Sequence, residues 1–372
     1  MIYFDNSATT FPKPACVLQE INFCLKKYCG NPGRSSHTLS LKSSEAVYSA
    51  REEIAKMLSV NTPEQVVFTY NATYALNLAI KTLVTKKCHI LTSDFEHNSV
   101  IRPLERLKKE IGIEYSAFTT DGDIEGNIIN EIRPDTAGIV CSIASNLTGD
   151  GIPLEILSKI ANEKGIFLII DASQAIGHRI INLTKTPCDV LCAPGHKALF
   201  GMEGCGFAYF KDRHRRESFI EGGSGSDSAN LNMPELLPEA YEAGTLSVPA
   251  IVSLGRGVRY VEDIGIYEIR RKLYSLTNAM YERLECIQKV KLYKYGCGIV
   301  PFNIGNASSS SIAMRLDEYG ICVRGGLHCA PSIHKKLGTL DRGAVRISFS
   351  YLNNMRQVDK VYHAIKDISN EI

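Results

Sequence analysis

The sequence has neither a large excess of charge nor a long apolar run. Its 372 residues carry a formal net charge of +2, so we expect no electrostatic footprint for nucleic acid or an anionic membrane. No stretch approaches the roughly 20 apolar residues of a membrane span. The basic run KDRHRR, residues 211–216, is expected to be a solvated loop rather than a phosphate patch. We therefore expect partners other than nucleic acid and membranes.

The sequence also lacks a secretory start and cysteine pairs of the Cys-x-x-Cys type. The N-terminus has no basic segment followed by an apolar core, so we expect a cytoplasmic protein. The twelve cysteines should then be reduced, and their spacing fits no zinc site. We expect most of them to be small buried side chains, no metal site, and any functional cysteine to be identifiable by its context.

Apolar strands alternate with helical patterns through the middle of the chain. Near-continuous apolar strands of this kind are typical of a mostly parallel sheet covered by helices on both faces. The predicted strands are 65–70, 89–93, 137–145, 166–171, 189–194 and 204–210, and the predicted helices are 74–83, 100–111 and 154–164.

The pattern changes after about residue 244. One long helix is predicted over 250–284, and the serine run 308–311 reads as the capped start of another. Strands at 298–304, 321–326 and 345–350 and a last helix to residue 372 complete a smaller α+β unit. We predict a large domain over 15–248 and a small domain formed by 1–14 and 249–372.

Two charged side chains follow neighbouring predicted strands. Asp171 ends the strand 166–171, and Lys197 follows the strand 189–194 in APGHK. Ligands of open α/β sheets bind at the carboxyl ends of the strands. A lysine that forms a Schiff base and a carboxylate that keeps a pyridine nitrogen protonated are what pyridoxal 5′-phosphate (PLP) requires. The alternatives are a helix-capping Asp171 and a solvated surface lysine.

A phosphate site is predicted where a strand turns into a helix, at Ala72 and Thr73. The free N–H groups and the dipole of a helix N-terminus favour an anion, and the Thr73 hydroxyl adds a donor. The alternative is an ordinary N-cap. His97 follows the strand 89–93, where an imidazole could stack on a pyridine ring and move protons, or could be structural.

Cys329 lies in a glycine-rich segment with positive neighbours, RGGLHCA. Arg324 and His328 flank it, and such a setting lowers a thiol pKa and yields a nucleophile. The alternative is a buried cysteine. Arg346 alternates with apolar residues in the predicted strand 345–350, where it could clamp a carboxylate or form a structural ion pair.

These segments together resemble the class V aminotransferases, and among them the cysteine desulfurases of the Suf type, whose relatives include selenocysteine lyases. The resemblance covers nearly the whole chain. The motifs that carry it appear in the family's order: YFDNSATTFPKP, NPGRSSHTLS, DASQAIGH, GHK before a glycine-rich turn, EAGT and RGGLHCA.

The resemblance implies a fold-type I architecture, with a seven-stranded, mostly parallel sheet, a smaller α+β domain and a homodimer that binds PLP. The implied cofactor contacts are Lys197 as the Schiff-base lysine, Asp171 at the pyridine nitrogen, His97 on the ring face, Gln174 near the phenolic oxygen, Asn146 beside cofactor or substrate, Ala72, Thr73 and His196 at the phosphate, and Thr245 at the phosphate of the partner subunit. Arg346, Arg324 and Asn146 are implied to bind the substrate, and Cys329 to accept sulfur.

The implied reaction converts L-cysteine to L-alanine and leaves a persulfide on Cys329, from which a protein or small thiol takes the sulfur, as in iron–sulfur cluster assembly. The alternative is a selenocysteine lyase, acting on L-selenocysteine, or another lyase or aminotransferase of the family without a persulfide step. Two positions depart from the family's pattern: Pro194 replaces a common serine, and Leu327 replaces a common histidine.

Overall fold

The computed structural model of the chain describes residues 1–33, 36–212, 219–226, 229–293 and 296–372. Residues 213–216 of the basic run and 34–35 of NPGRSSHTLS lie outside the described residues, so the solvated loop stays a prediction. The described elements follow in the order β1 (Ile2–Tyr3), α1 (Ala15–Lys27), α2 (Thr38–Met57), β2 (Val66–Thr69), α3 (Ala72–Leu83), β3 (His89–Ser93), α4 (Asn98–Ile111), β4 (Glu114–Phe118), α5 (Ile124–Glu131), β5 (Thr136–Ser142), α6 (Leu154–Lys164), β6 (Phe167–Asp171), β7 (Val190–Pro194), β8 (Gly206–Phe210), α7 (Val248–Ile264), α8 (Ile266–Glu285), β9 (Val290–Leu292), β10 (Ile299–Ile304), α9 (Ser309–Glu318), β11 (Ile321–Cys322), α10 (Pro331–Leu337), β12 (Val345–Ser348) and α11 (Met355–Glu371).

A seven-stranded sheet forms the centre of the molecule, in the order β2-β8-β7-β6-β5-β3-β4. Strand β8 runs antiparallel to both of its neighbours, and the other neighbouring strands are parallel. The predicted α/β class with a mostly parallel sheet is therefore confirmed.

Helices cover both faces of this sheet, which explains the apolar strands. Alternate residues of a strand point to opposite faces. In β6, Ile169 packs into one buried cluster together with residues of α3 and α4. Its neighbours Leu168 and Ile170 pack into the other cluster, which includes residues of α1, α2 and α7. Because both faces are dry, the strand has no position for an exposed polar side chain until it ends at Asp171.

The first residues of the chain pack with its last elements. Strand β1 pairs with β11, and Asp5 forms a bridge to Ser348, the last residue of β12 in the three-stranded sheet β12-β10-β9. Helix α7, which starts at the predicted boundary near residue 248, packs against α1 and α2. The domain boundaries themselves stay a prediction.

Several details differ from the sequence-based expectations, which also left out α1, α2, α5, α10 and β9. The helix predicted over 250–284 is two helices, α7 and α8, separated by Gly265, whose φ of 86° lies outside the helical region. Strand β4 was not predicted, because its residues are largely exposed and form no apolar run. Strand β11 covers only two residues of the predicted 321–326. The capped helix at the serine run is confirmed, since Ser308 accepts the N–H of Ser311.

All twelve cysteines are described and free, but the expectation that most are buried does not hold. Six are buried, three are half-buried, and Cys29, Cys286 and Cys329 are exposed. Among the described residues, no group of three side chains could hold a metal ion, and no helix is both long and apolar enough to cross a membrane.

Candidate active site

A cavity of about 100 Å³ opens at the carboxyl ends of β3, β5, β6 and β7. Eight of the residues predicted for the site line it: Ala72, Thr73, His97, Asn146, Asp171, Gln174, His196 and Lys197. The cavity is also lined by seven residues outside that prediction: Asn71, Leu76, Ser99, Ser142, Ala144, Ser173 and Pro194. Residues that are up to 126 positions apart in the chain, Asn71 and Lys197, therefore meet where the strands end, as the parallel topology predicts.

Lys197 lies three residues after β7, in a segment held by the loop between β1 and α1, which belongs to the chain's first motif. The Thr10 hydroxyl donates to the Lys197 carbonyl at 2.7 Å, and Lys13 Nζ donates to the His196 carbonyl at 2.9 Å. Burial lowers the pKa of the Lys197 amine to about 8, while the Asp171 carboxylate opposes that shift. A buried lysine of this kind has a larger neutral, nucleophilic fraction near pH 7 than an exposed one.

Asp171 is buried at the end of β6 and its carboxylate faces the cavity. Its Oδ1 accepts the Ser173 N–H at 2.8 Å, and its Oδ2 lies 3.4 Å from the Ser142 hydroxyl. Among the described residues it forms no salt bridge, although a buried charge costs free energy unless it is paired. The carboxylate is thus available to a positively charged group in the cavity.

The N-terminus of α3 points at the same cavity. The N-cap is Asn71, whose Oδ1 accepts the Tyr74 N–H at 2.9 Å, so the ordinary N-cap that the sequence offered as the alternative is present. The backbone N–H groups of Ala72 and Thr73 have no acceptor in the described part of the chain. A Cβ at Gly206 would lie 2.9 Å from the Asn71 backbone, so glycine there lets β8 hold this helix start closely.

His97 combines both roles that its position suggested. It is the N-cap of α4, and its Nδ1 accepts the Ser99 N–H at 3.0 Å. The ring also lines the cavity. Because Nδ1 is an acceptor, the neutral ring carries its proton on Nε2. Burial lowers the pKa of His97, opposed by Asp171, which favours this neutral form.

Three further residues of the cavity wall present polar atoms to it. Gln174 Nε2 donates to the Ser7 carbonyl at 3.0 Å, and Asn146 Nδ2 donates to the His328 carbonyl at 2.7 Å. Within the described residues, Asn146 Oδ1 and His196 Nδ1 are buried without a partner. Burial lowers the pKa of His196 to about 4, so its ring is neutral.

Arg346 is fully buried and engaged within the protein. Its Nη2 pairs with Asp5 Oδ1 at 2.7 Å, and its Nη1 donates to the Asn146 carbonyl at 2.9 Å. Only Nε is left without a partner in the described chain. The ion pair that the sequence offered as the alternative is therefore present. Arg324 is half-buried, and its backbone bridges that of Arg346.

Cys329 is exposed, on a loop that touches the start of α4. Its carbonyl accepts the Asn98 N–H at 2.7 Å, directly beside His97. Cys329 and His328 have φ values of 55° and 51°, which are uncommon for residues other than glycine. The buried alternative for this cysteine is wrong, and the loop places the thiol outside the cavity lining.

Thr245 is the one predicted cofactor contact that does not line this cavity among the described residues. It is exposed and lines a separate cavity of about 40 Å³ with Thr69 and Tyr70. Glu242, at the root of the same loop, is buried in a salt bridge with Arg51 at 2.8 Å. The loop is thus fixed at one end, whereas Thr245 itself is exposed on the surface.

The prediction from sequence missed several residues around the cavity. Asp5, Ser99 and Ser142 hold Arg346, His97 and Asp171 in place. Glu96, next to His97, is completely buried and bonded to Ser142. The one available signal was the Glu96 carboxylate, three residues after the apolar strand β3; short polar residues such as serine carry no such signal.

Comparisons with known proteins agree with this arrangement. The family model for class-V aminotransferases matches residues 2–361. A probable cysteine desulfurase of Pyrococcus abyssi is 30% identical over 99% of this chain and 94% of its own length. A cysteine desulfurase of Wigglesworthia glossinidia brevipalpis is 30% identical over 90% of this chain and 84% of its own.

A solved structure is similar over the full chain. The apo structure of a cysteine desulfurase from Thermococcus onnurineus NA1 has a TM-score of 0.92 and 29% identity, covering 100% of this chain and 95% of that one. The resemblance read from the motifs is confirmed. The chain belongs to the class-V aminotransferase family.

Proposed function

We propose that this chain is a PLP-dependent cysteine desulfurase, which converts L-cysteine to L-alanine and receives the sulfur on Cys329. The observation that carries the proposal is that Lys197 and Asp171 face one cavity beside the open N-terminus of α3. The relatives named cysteine desulfurases support it along the whole chain.

The residues of the cavity fit PLP. A buried carboxylate without a salt bridge at Asp171 suits a protonated pyridine nitrogen. The unpaired N–H groups of Ala72 and Thr73 suit a phosphate at a helix N-terminus. The Lys197 amine, with its pKa lowered to about 8 by burial, suits covalent attachment. When bound, PLP supplies an aldehyde for amino groups and an electron sink for the substrate's Cα.

The other polar residues would orient the cofactor. The neutral His97 ring would cover the face of the pyridine, and the Gln174 amide would approach the phenolic oxygen. His196 would contribute at the phosphate, where its neutral ring can donate one hydrogen bond. Thr245 would reach the phosphate of a partner subunit, because it lies outside the cavity of its own chain.

Proton transfer at the substrate's Cα falls to Lys197. Once its amine is released, burial keeps a useful fraction neutral near pH 7. The positive charges of Arg346 and Arg324 further disfavour its protonation. Lys197 can then accept the proton from Cα and later return it to the product.

The substrate carboxylate would lie near Asn146, Arg324 and Arg346. Arg346 is already paired with Asp5, so a carboxylate would share its guanidinium through the unpartnered Nε or displace Asp5. Arg324 is half-buried and adds a second positive charge beside it. A pair of arginines matches the charge of an α-carboxylate.

The sulfur step needs an exposed thiol on a segment next to the cavity, and Cys329 is placed there. Its thiolate would attack the substrate's sulfur, so that an S–S bond forms and the substrate's Cβ–S bond breaks. The electron pair of that bond stays with the carbon fragment, which is protonated and leaves as alanine. The sulfur remains on Cys329 as a persulfide until an acceptor thiol, from a protein or a small molecule, takes it.

The test is to incubate the PLP-loaded protein with L-cysteine and a reductant and to measure alanine and sulfide together. Cys329→Ala should abolish both products while the bound cofactor keeps its absorbance, and Lys197→Ala should abolish both and the covalent cofactor signal. Cys286→Ala is the matched control, since Cys286 is also exposed but lies at the end of α8, and it should retain full activity.

Two results would contradict the proposal. If the PLP-loaded protein released neither product from L-cysteine, the reaction class would be wrong. If Cys329→Ala kept its activity, the persulfide step would be wrong, and a lyase acting on selenocysteine or another substrate would remain; L-selenocysteine is the substrate to test next.

A further inference from the structure

Glu96 is a completely buried carboxyl group that the proposed reaction does not use. It lies between β3 and His97, and its exposed fraction is 0%. Its Oε1 accepts from the Ser93 hydroxyl and from the Ser142 N–H at 2.9 Å, and its Oε2 lies 2.9 Å from the Ser142 hydroxyl. Every oxygen of this side chain is therefore committed to the ends of β3 and β5.

Ser142 joins Glu96 to the carboxylate that faces the cavity. In the register of β5 and β6, Ser142 lies opposite Asp171. Its Oγ is 2.9 Å from Glu96 Oε2 and 3.4 Å from Asp171 Oδ2. A serine hydroxyl has one hydrogen to donate. It can therefore donate to only one of the two carboxyl groups at a time. Whether Glu96 is protonated determines which carboxyl group accepts this hydrogen bond.

The surroundings favour a protonated Glu96. Burial raises its pKa to about 7, and the negative charge of Asp171 adds to the increase, against the hydrogen bonds from Ser93 and Ser142. The other titratable group facing it is the Cys141 thiol on β5, whose own burial raises its pKa and keeps it neutral. Two buried carboxylates joined by one hydroxyl are less costly with one charge than with two.

We propose that Glu96 is a positioning residue for the cofactor: as a neutral acid it donates to Ser142 Oγ, which turns the Ser142 hydroxyl toward Asp171. The hydrogen bond then fixes the orientation of the Asp171 carboxylate on the side away from Ser173. The inference rests on the proposed function, because Asp171 matters in this way only if it binds the ring nitrogen of PLP.

The variants Glu96→Gln, Glu96→Leu, Ser142→Ala and the double variant Glu96→Leu/Ser142→Ala separate this role from packing. Glutamine keeps both the acceptor for Ser93 and a donor for Ser142, whereas leucine keeps only the volume. Ser158→Ala is the matched control, since Ser158 is also buried but donates to the Pro187 carbonyl far from the cavity. The readouts are the dissociation constant of PLP and the pH midpoint of its visible absorption band.

We expect Glu96→Gln and Ser158→Ala to behave like the unmodified protein. Glu96→Leu and Ser142→Ala should each raise the dissociation constant about fivefold to tenfold, the size of one typical hydrogen bond. Both should also shift the absorption midpoint in the same direction. Glu96 and Ser142 act through the same chain of hydrogen bonds. The double variant should therefore bind PLP no more weakly than the single variant that binds it less tightly.

Several outcomes would overturn the inference. Additive losses in the double variant would show separate routes to the cofactor. A loss in Glu96→Gln as large as in Glu96→Leu would show that an ionised Glu96 is needed. If Glu96→Leu does not fold, Ser142→Ala alone decides: unchanged PLP binding and midpoint would overturn the inference and leave the proposed function standing. An unmodified protein that binds no PLP would overturn both.

Discussion

Lys197 and Asp171 are brought to one cavity by neighbouring strands, but burial acts on them in different ways. Burial disfavours the charged form of a lysine and lowers its pKa, here to about 8. Asp171 keeps an unpaired carboxylate position facing the same space. The Lys197 amine can thus act as a nucleophile and the Asp171 carboxylate as a counter-ion, and the proposed cofactor requires both roles.

The lowered pKa of Lys197 predicts how the apo protein takes up PLP. Only the neutral amine reacts with an aldehyde, so the uptake rate should rise about tenfold per pH unit below the pKa and level off above it. At pH 7, about one tenth of the amine would be neutral with a pKa of about 8, against well under one hundredth for an ordinary lysine. Stopped-flow absorbance from pH 6.5 to 10 measures the midpoint.

The control for this measurement is Lys197→Ala, which reports any cofactor signal from other lysines. Its slow or absent uptake is subtracted at each pH. A midpoint near 8 supports the buried amine as the reacting group. An uptake rate that still rises about tenfold per pH unit up to pH 10 would show that Lys197 titrates like an exposed lysine.

Some of these residues could be predicted from the sequence, and others could not. A charged residue at or just beyond the end of a buried strand, as at Asp171 and Lys197, has few structural explanations. Both residues could therefore be predicted as site residues. The contact between Glu96 and Ser142 joins residues 46 positions apart. It depends on the register of β3 and β5, and no local pattern specifies that register when both strands are apolar on both faces.

At the start of helix α4, His97 both caps the helix and lines the cavity. His97 occupies the N-cap, where its Nδ1 accepts a backbone N–H, and the same hydrogen bond sets which nitrogen carries the proton. The Cys329 loop bonds to the next residue, Asn98. The start of α4 therefore connects the cofactor's position with the thiol that would receive sulfur.

Two substitutions separate these roles of His97. Asparagine is a good N-cap, so His97→Asn should leave the free energy of unfolding nearly unchanged, whereas His97→Ala should lose about 1 kcal/mol. Both should lower the rate of alanine formation about a hundredfold or more, because neither has an imidazole to cover the ring or move protons. Denaturant unfolding and alanine release measure the two effects.

The opposite pattern would change the interpretation of His97. If His97→Asn restored activity as well as stability, capping would be its whole contribution. Thr73→Ser is a suitable companion variant, because it keeps the hydroxyl that lies 2.8 Å from Ser99 Oγ and should be close to neutral in both measurements.

At the scale of elements, agreement with the sequence follows burial. The fully buried β3 and the amphipathic α6 have the bounds predicted for them. In the edge strand β4 only the last residue is buried, and the strand could not be separated from a loop. The break at Gly265 was missed because the apolar periodicity continues from α7 into α8 and masks a single glycine.

Across the whole molecule, the N-terminal segment holds the site together from outside the large sheet. Strand β1 pairs with β11, Asp5 pairs with Arg346, and Thr10 bonds to the Lys197 carbonyl. The first residues thus contact both the substrate-binding arginine proposed on β12 and the lysine after β7. The sequence predicted that residues 1–14 join the small domain, but not these individual contacts, because no local pattern in residues 1–14 specifies a partner.

Thr245 raises the question of which subunit its hydroxyl serves. It is exposed, and the cavity that it lines is separate from the one that contains Lys197. Its loop is nevertheless anchored by the buried salt bridge between Glu242 and Arg51. Burying an ion pair costs desolvation free energy, which a surface threonine alone would not require. A second copy of the chain, presenting its own α3 N-terminus, would explain both facts.

A mixed dimer of Lys197→Ala and Thr245→Val subunits, isolated with two different affinity tags, tests this arrangement. If Thr245 acts across the interface, one site carries both defects and the other carries neither, so the mixed dimer should bind one covalent PLP with the affinity of the unmodified protein and keep about half its activity. If Thr245 acts within its own chain, the single lysine-containing site is also the weakened one, and its dissociation constant should match that of the Thr245→Val homodimer. Because the two arrangements place the same two substitutions in different sites, a titration of covalent absorbance distinguishes them without any assumption about the rate of the reaction.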